Sequence, residues 1–411
     1  MAETPANAGH EASGRSPVIV GGGIGGLATA LALARCGIAS TVLERRERFE
    51  PEGAGIQLGP NGTRILRELG VAELLEPLAG KPDCIHARDA VSGASLSRLP
   101  LGDWIEKRHG APYWVVHRAD LHEALLSRTR AEPLVTLRLD FDVGDIRTAA
   151  GAGPNGNVAV TERMTGAVAT GSIAIAADGI RSRVRDLLFD GPPLQFAAKS
   201  AARAVVPADA LPPALRENAT AIWLSPSAHV VHYPVRAGRE TAIVFVRRDG
   251  VPSDDWSATV SVDWVRNAAR TFAAPLRGLL SAPDLWKKWA LYTLPPLVHW
   301  TRGRVALLGD AAHPTLPFLA QGGVLALEDA CVLAAAYAAN RAEPGAALAS
   351  YEAARKPRAT RIVAEAERNG RIYHLDGVMA RARDVTLRVA PGERMMARYD
   401  WVYGWRGRTL S

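Results

Sequence analysis

The sequence is poor in cysteine and in long apolar runs, and each shortage closes off a class of function. Its 411 residues include three cysteines, Cys36, Cys84 and Cys331, far apart, with no CxxC spacing and no histidine at ligand distance. That odd count excludes a disulfide framework and a zinc site, and reads as reduced, structural thiols in a cytoplasmic protein. No His, Asp and Glu set has metal-ligand spacing, so no metal is expected, and no Gly-x-Ser-x-Gly elbow is present. The net charge of +7 comes from 49 basic and 42 acidic residues scattered along the chain, and the 6% aromatics are not interleaved with the bases. A nucleic-acid surface needs a basic stripe with stacking rings, so none is expected; anionic small molecules are modestly favoured. Pro17 to Ala34 carries no charge, and no other run reads as long enough to span a membrane. Three consecutive glycines, Gly21 to Gly23, interrupt this stretch and Glu3 and Glu11 precede it, which argues against a signal peptide or membrane span.

That same run is the most informative stretch. Val18-Ile19-Val20 meets Gly21-x-Gly23-x-x-Gly26, an Ala/Leu-rich helix follows, and Thr41-Val42-Leu43 closes on Glu44. Gly21 permits a tight turn, Gly23 lets backbone approach a pyrophosphate, and Gly26 lets helix pack on strand. The helix start aims free N–H groups and its positive dipole end at the anion. Glu44 falls where a βαβ unit places the carboxylate that accepts from an adenosine ribose, with Arg45 beside it. Strand, turn, helix and acid together predict a bound dinucleotide, without saying which.

Further along, Thr63 to Leu69 reads as a helix, Cys84 to Leu99 as a strand pair turning at Ser92-Gly93, and His117 to about Arg130 as a helix. Two or three strands are expected over Leu134 to Ala177, with a turn at Gly151 to Gly156. Ser200 to Val206, Ala221 to Leu224, His229 to Val235 and Thr241 to Val246 read as a meandering antiparallel sheet. Val262 to Phe272, Gly323 to Ala339 and Pro344 to Gly370 carry helical periodicity, and Arg304 to Leu308 is a buried strand ending at Gly309-Asp310. No repeat is apparent. The first fifteen residues are small and polar, and read as disordered.

Three motifs in this order resemble the single-component flavoprotein aromatic hydroxylases of the p-hydroxybenzoate hydroxylase superfamily: GGGIGGL with Glu44; Ala177-Asp178-Gly179-Ile180-Arg181-Ser182-x-Val184-Arg185; and Gly309-Asp310-Ala311-Ala312-His313-Pro314. The resemblance spans almost the whole chain. It implies an α/β fold: a Rossmann-like FAD-binding domain over 16–82, 100–185 and 296–370, a mostly antiparallel substrate domain over 83–99 and 186–295, and a C-terminal segment over 371–411. The dinucleotide is then FAD, with NADH or NADPH as a transient co-substrate, since no second GxGxxG exists. In such enzymes Asp310 holds a ribityl hydroxyl, Arg118 contacts FAD, and Asp178 serves FAD and the nicotinamide nucleotide. The helix start at Gly322, Gly323 and Val324 faces the flavin pyrimidine edge, where its dipole stabilises reduced flavin. The oligomer is expected to be a monomer or homodimer.

Within the superfamily, His229-x-x-x-Tyr233-Pro234, Leu316 to Gly322 and Tyr399 to Gly404 look like the branch of salicylate 1-hydroxylase, 3-hydroxybenzoate 6-hydroxylase and 6-hydroxynicotinate 3-monooxygenase. The resemblance places Gln57, Pro317 and Phe318 in the substrate pocket; the nicotinate-type enzymes are similar with histidines at the positions of Gln57 and Phe318, so a benzenoid phenol is favoured over a pyridine. The implied reaction is hydroxylation of a small aromatic acid by NAD(P)H and O₂ through a flavin C4a-hydroperoxide. The alternatives are a 6-hydroxynicotinate-type decarboxylating hydroxylase or a non-hydroxylating flavin-binding module. His229 is the candidate base for the phenolic proton, and Tyr233 orients the substrate or relays that proton. Four residues apart on a strand, both point to one face, with His232 turned away and His313 structural beside the flavin.

Overall fold

A computed structural model describes residues 16–50, 53–148, 157–252 and 258–407. The expected disorder of the first fifteen residues and the turn at Gly151 to Gly156 lie outside them. Val18–Val20 forms the centre of a six-stranded sheet, flanked by Ser40–Leu43 and Ala174–Ala176, with Val135–Arg138 beyond the first and Val305–Leu307 beyond the second. These strands are parallel; Thr301–Arg302 adds an antiparallel edge. Val18–Val20, Ala174–Ala176 and Val305–Leu307 are apolar and buried throughout because the middle of a parallel sheet is covered on both faces. The helix Ile24–Arg35, buried along most of its length, covers one face, and it packs on Gly322–Ala339, which packs in turn on Pro344–Tyr373. Gly322–Ala339 is long and apolar enough to cross a membrane, yet 67% of it is buried inside the fold.

An eight-stranded sheet forms the second layer system. In spatial order it runs Thr259–Val260, Trp286–Thr293, Gln195–Pro207, Glu240–Arg248, Ala228–Val235, Ala219–Leu224, Cys84–Asp89 and Ser95–Pro100. All neighbours are antiparallel except Ala219–Leu224 with Cys84–Asp89, which are parallel. The meander expected from sequence is therefore extended by a pair of strands from far earlier in the chain. A short antiparallel pair, Gly55–Leu58 with Trp114–His117, lies between the two large sheets; Ile56 reaches toward Gly323 and Gly55 packs against Tyr233.

Several local expectations are corrected. Five strands, not two or three, occupy Val135 to Ala176, because Val143–Thr148, Val158–Glu162 and Val168–Gly171 form a separate three-stranded sheet. These strands are short, and Glu162 is buried while Val168 is exposed, against the polarity that sequence reading relies on. The helix expected to run from Val262 to Phe272 stops at Ala268, a second helix covers Ala274–Ser281, and Trp286–Thr293 is a strand. The helix expected from Thr63 begins at Pro60, whose fixed φ suits a first turn.

Candidate active site

The glycine turn is built as a cradle. Gly21 has φ +104°, and a Cβ there would stand 2.5 Å from the carbonyl oxygen of Ala177. A Cβ on Gly26 would stand 1.8 Å from the carbonyl oxygen of Gly21, so helix and strand can approach only without it. At Gly23 a Cβ would meet no protein atom within 4 Å: the position is open to a ligand rather than to the fold. Oε2 of Glu44 accepts from Gly22 N at 2.8 Å and Oε1 from Arg46 N at 3.1 Å. This carboxylate thus braces the turn, and each oxygen keeps a lone pair for another donor. Arg45 is exposed next to it.

The Asp178 and Asp310 loops are tied together. Arg185 donates from Nη1 to the carbonyl of Ala311 at 3.1 Å and from Nη2 to that of Ile180 at 2.7 Å. Oδ2 of Asp178 accepts from Val184 N at 3.1 Å, while Oδ1 is buried without a partner among the described residues. Burial raises the Asp178 pKa. Asp310 is exposed by area yet surrounded by protein, the floor of a cleft; those surroundings raise its pKa, against the pull of His313 and Arg118. Arg118 packs on Gly53 at the cleft edge. Gly322, Gly323 and Val324 open a helix whose N-cap, Gln321, makes no side-chain capping bond, so the first-turn N–H groups are left for another acceptor.

Asp329 lies under that cleft and was not singled out from sequence, since nothing in a helical acid reveals what it will touch. Its Oδ2 accepts from Gly309 N at 3.0 Å and from His313 Nε2 at 2.6 Å, and Oδ1 from Arg355 Nε at 2.7 Å. Burial alone would raise its pKa, but His313 and Arg355 hold it down to about 2. Beside it, Glu328 accepts from Arg358, and Asn61 donates to both Glu328 and Gln321 at 2.7 and 2.9 Å. The turn bearing Asp310 and the helix start at Gly322 are therefore held by one buried network.

On the large sheet, His229 stands opposite Val246 and Tyr233 opposite Ala242. Both are buried and point to the face covered by Gly55–Leu58 and by residues 316–319; His232 points to the other face and stacks on Trp223. Phe318 meets His229 edge-on, ring centroids 5.3 Å apart, while Pro317 is exposed. Gln57 faces elsewhere in the same region: its Oε1 accepts from Tyr113 OH at 2.6 Å, and Tyr113 packs on Tyr403. Two residues that motif reading missed, Tyr373 and His374, close the pocket from the end of the Pro344–Tyr373 helix. Tyr373 packs edge-on to His229 at 5.4 Å, and Nε2 of His374 lies 3.0 Å from Nδ1 of His229. The signal was the pair itself, Tyr373-His374, at the end of an amphipathic helix, 145 residues from its partner.

Burial, then His374 and Lys199, lower the His229 pKa well below its ordinary 6.5. The ring is neutral at physiological pH. Burial also raises the Tyr233 hydroxyl, so it stays protonated and can donate.

A model of the FAD binding domain family matches residues 16–366. The chain is 37% identical to the 3-hydroxybenzoate 6-hydroxylase of Polaromonas naphthalenivorans over 391 residues, 95% of this chain and 96% of that one. It is 34% identical over 352 residues to the 6-hydroxynicotinate 3-monooxygenase of Bordetella bronchiseptica, 84% of this chain and 88% of that one. Among solved structures, Klebsiella pneumoniae HpxO complexed with FAD and uric acid superposes with a TM-score of 0.81 at 28% identity, covering 93% of this chain and 95% of that one. A salicylate hydroxylase substrate complex gives 0.79 at 26%, covering 95% and 96%. With matches of this length, the chain belongs to the FAD binding domain family, as one of its FAD-dependent aromatic monooxygenases.

Proposed function

We propose that the protein hydroxylates a phenolic aromatic acid of the 3-hydroxybenzoate or salicylate kind, placing one atom of O₂ on the ring and releasing the other as water, with NAD(P)H supplying two electrons. The observation that carries this reading is the His229–His374 pair on the same sheet face as Tyr233. Nδ1 of His374 lies 2.8 Å from the carbonyl of Gly370, and a carbonyl can only accept. His374 is therefore protonated at Nδ1, its Nε2 accepts from His229 Nδ1–H, and His229 is left with a bare Nε2. That lone pair is what a phenolic proton needs.

The residues fit FAD, by the open space at Gly23, the unpartnered Asp178 Oδ1 and the free helix start at Gly322. Gly21, Gly23, Gly26, Glu44 and Arg45 would hold its ADP end; Arg118, Asp178, Asp310, Gly322, Gly323 and Val324 would hold the rest. Bound there, FAD supplies the redox and oxygen-transfer chemistry. His229 takes the phenolic proton at Nε2, and the ring carbons ortho and para to the resulting phenolate gain the electron density that attack on an electrophilic oxygen requires. Protonation there leaves Nδ1–H donating to His374, so the new imidazolium stays oriented. Tyr233 donates to the substrate and fixes its orientation. Gln57, Pro317 and Phe318 shape the pocket wall, Phe318 by its ring against His229.

A second reading, decarboxylating hydroxylation of a 6-hydroxynicotinate-type pyridine, is supported by the relatives so named and disfavoured by Gln57 and Phe318 in place of histidines. A panel of hydroxybenzoates and hydroxynicotinates, followed by NADH oxidation and by product identity, tests both. His229→Ala should retain FAD and lose roughly 10²- to 10⁴-fold in hydroxylation. No coupled product with any panel member would sink the hydroxylase reading and leave a flavin-binding module.

A further inference from the structure

Arg203 sits in the strand Gln195–Pro207 opposite Val244, which stands opposite Val231. The flanking rows are Ala201, Val246 and His229 on one side, and Val205, Ala242 and Tyr233 on the other. Because faces alternate along every strand, Arg203 shares the face of His229 and Tyr233, two strands away or roughly 10 Å across the sheet. Its row lies between theirs.

The charge there is unanswered. Nε of Arg203 is sealed from solvent with no hydrogen-bond partner, and no carboxylate lies within ion-pair distance of the side chain among the described residues. The guanidinium stacks 3.7 Å over the Trp289 ring, which offsets part of the desolvation and fixes the plane without neutralising the charge. Burial lowers its pKa to about 10, so it remains a cation at neutral pH. Lys199 stands four residues along the same strand, on the side of His229 and His374, where its charge acts on both. The Arg203 side chain is half-buried, no acceptor among the described residues meets its fork, and a planar fork on the face of His229 and Tyr233 suits a carboxylate.

The geometry points to Arg203 as the group that binds the carboxylate of the substrate, with the phenolic hydroxyl turned to His229. The acid is thereby held at two points on one sheet face, the charge at Arg203 and the reacting hydroxyl at the base. This assignment rests on the aromatic-acid reading and narrows it to substrates that carry an anionic group away from the phenol.

The test titrates FAD-loaded protein with 3-hydroxybenzoate and with uncharged 3-hydroxybenzamide, reading the flavin absorbance change, for the unaltered chain, Arg203→Gln and Arg203→Lys. The unaltered protein should bind the acid at least about tenfold more tightly than the amide; Arg203→Gln should weaken the acid by at least about tenfold and leave the amide within about twofold, with Arg203→Lys between. Equal loss for acid and amide, an unchanged acid affinity, or loss of FAD from Arg203→Gln would each overturn the assignment, the last by giving the guanidinium to the cofactor. Should Arg203→Gln not fold, the acid-to-amide preference of the unaltered protein and its reduction in Arg203→Lys decide the matter, an undiminished preference overturning the assignment. An unaltered protein that turns over the acid while Arg203→Gln binds it normally refutes Arg203 alone. One that neither binds nor hydroxylates any hydroxybenzoate refutes the substrate reading, and this role with it.

Discussion

Nδ1 of His229 and Nε2 of His374 are 3.0 Å apart, and the far nitrogen of His374 is held by the Gly370 carbonyl. A donor chain with one fixed end has one direction, so the backbone of a helix sets the tautomer of a histidine on a sheet. His374→Gln should keep FAD and substrate affinity while kcat for hydroxylation falls by roughly ten- to a hundredfold, part of what a positioned base contributes. The pH profile separates this from a packing effect. His374 is one of the groups that lower the His229 pKa, and His229 acts only when neutral, so removing His374 moves the acid limb of kcat to higher pH. An unmoved limb would mean that His374 only fills space.

Gly23 and Gly26 lie three residues apart and should fail differently. A methyl group on Gly26 collides with the Gly21 carbonyl, so Gly26→Ala should lower the melting temperature of the FAD-free protein or prevent its recovery. A methyl group on Gly23 meets no protein atom within 4 Å, so Gly23→Ala should leave that melting temperature nearly unchanged and weaken FAD binding. Equal FAD affinity in Gly23→Ala would show that the cofactor does not approach this backbone.

Asp329 carries the turn that presents Asp310 without facing the cleft itself. Its charge is matched by Arg355, and removing one member of a buried pair strands the other. Asp329→Ala should cost about 3–5 kcal/mol in stability and release flavin through the loosened Gly309 turn. Denaturant melts and flavin retention on a desalting column check it; a variant that stays stable and yellow would show that His313 and Arg355 do not depend on this acid.

Motif spacing made the cofactor cradle legible because each glycine answers a backbone constraint that no other residue satisfies, and those constraints act within a few residues. The Rossmann-like sheet followed from the same logic, as unbroken apolar runs. His229 and Tyr233 could be placed on one face by alternation alone. What could not be read is what reaches that face from elsewhere: His374 from a helix end, Arg203 from two strands away, and Asp329 from beneath. Pairing register and helix packing decide those meetings, and neither leaves a local pattern. The short strands between Val143 and Gly171 were obscured for a different reason, since a polar residue, Glu162, is buried there and an apolar one, Val168, is exposed.

His232, on the face away from the pocket, gives a prediction independent of chemistry. Burial, with Arg88, lowers its pKa from the ordinary 6.5 to about 4, and its Nε2 has no partner among the described residues. The unfolded chain therefore takes up a proton as pH falls through about 6.5, while the folded protein does not until about 4. Stability contributed by the neutral ring is complete above the first value and is lost between the two, on the order of 3 kcal/mol. His374, held near 4 by burial, adds loss in the same window. His232→Gln cannot titrate, so the fall in unfolding free energy between pH 6.5 and 4 should be shallower by up to about 1.4 kcal/mol per pH unit. Urea unfolding of both proteins at several pH values across that window measures it, and parallel curves would show that His232 takes up its proton as readily folded as unfolded.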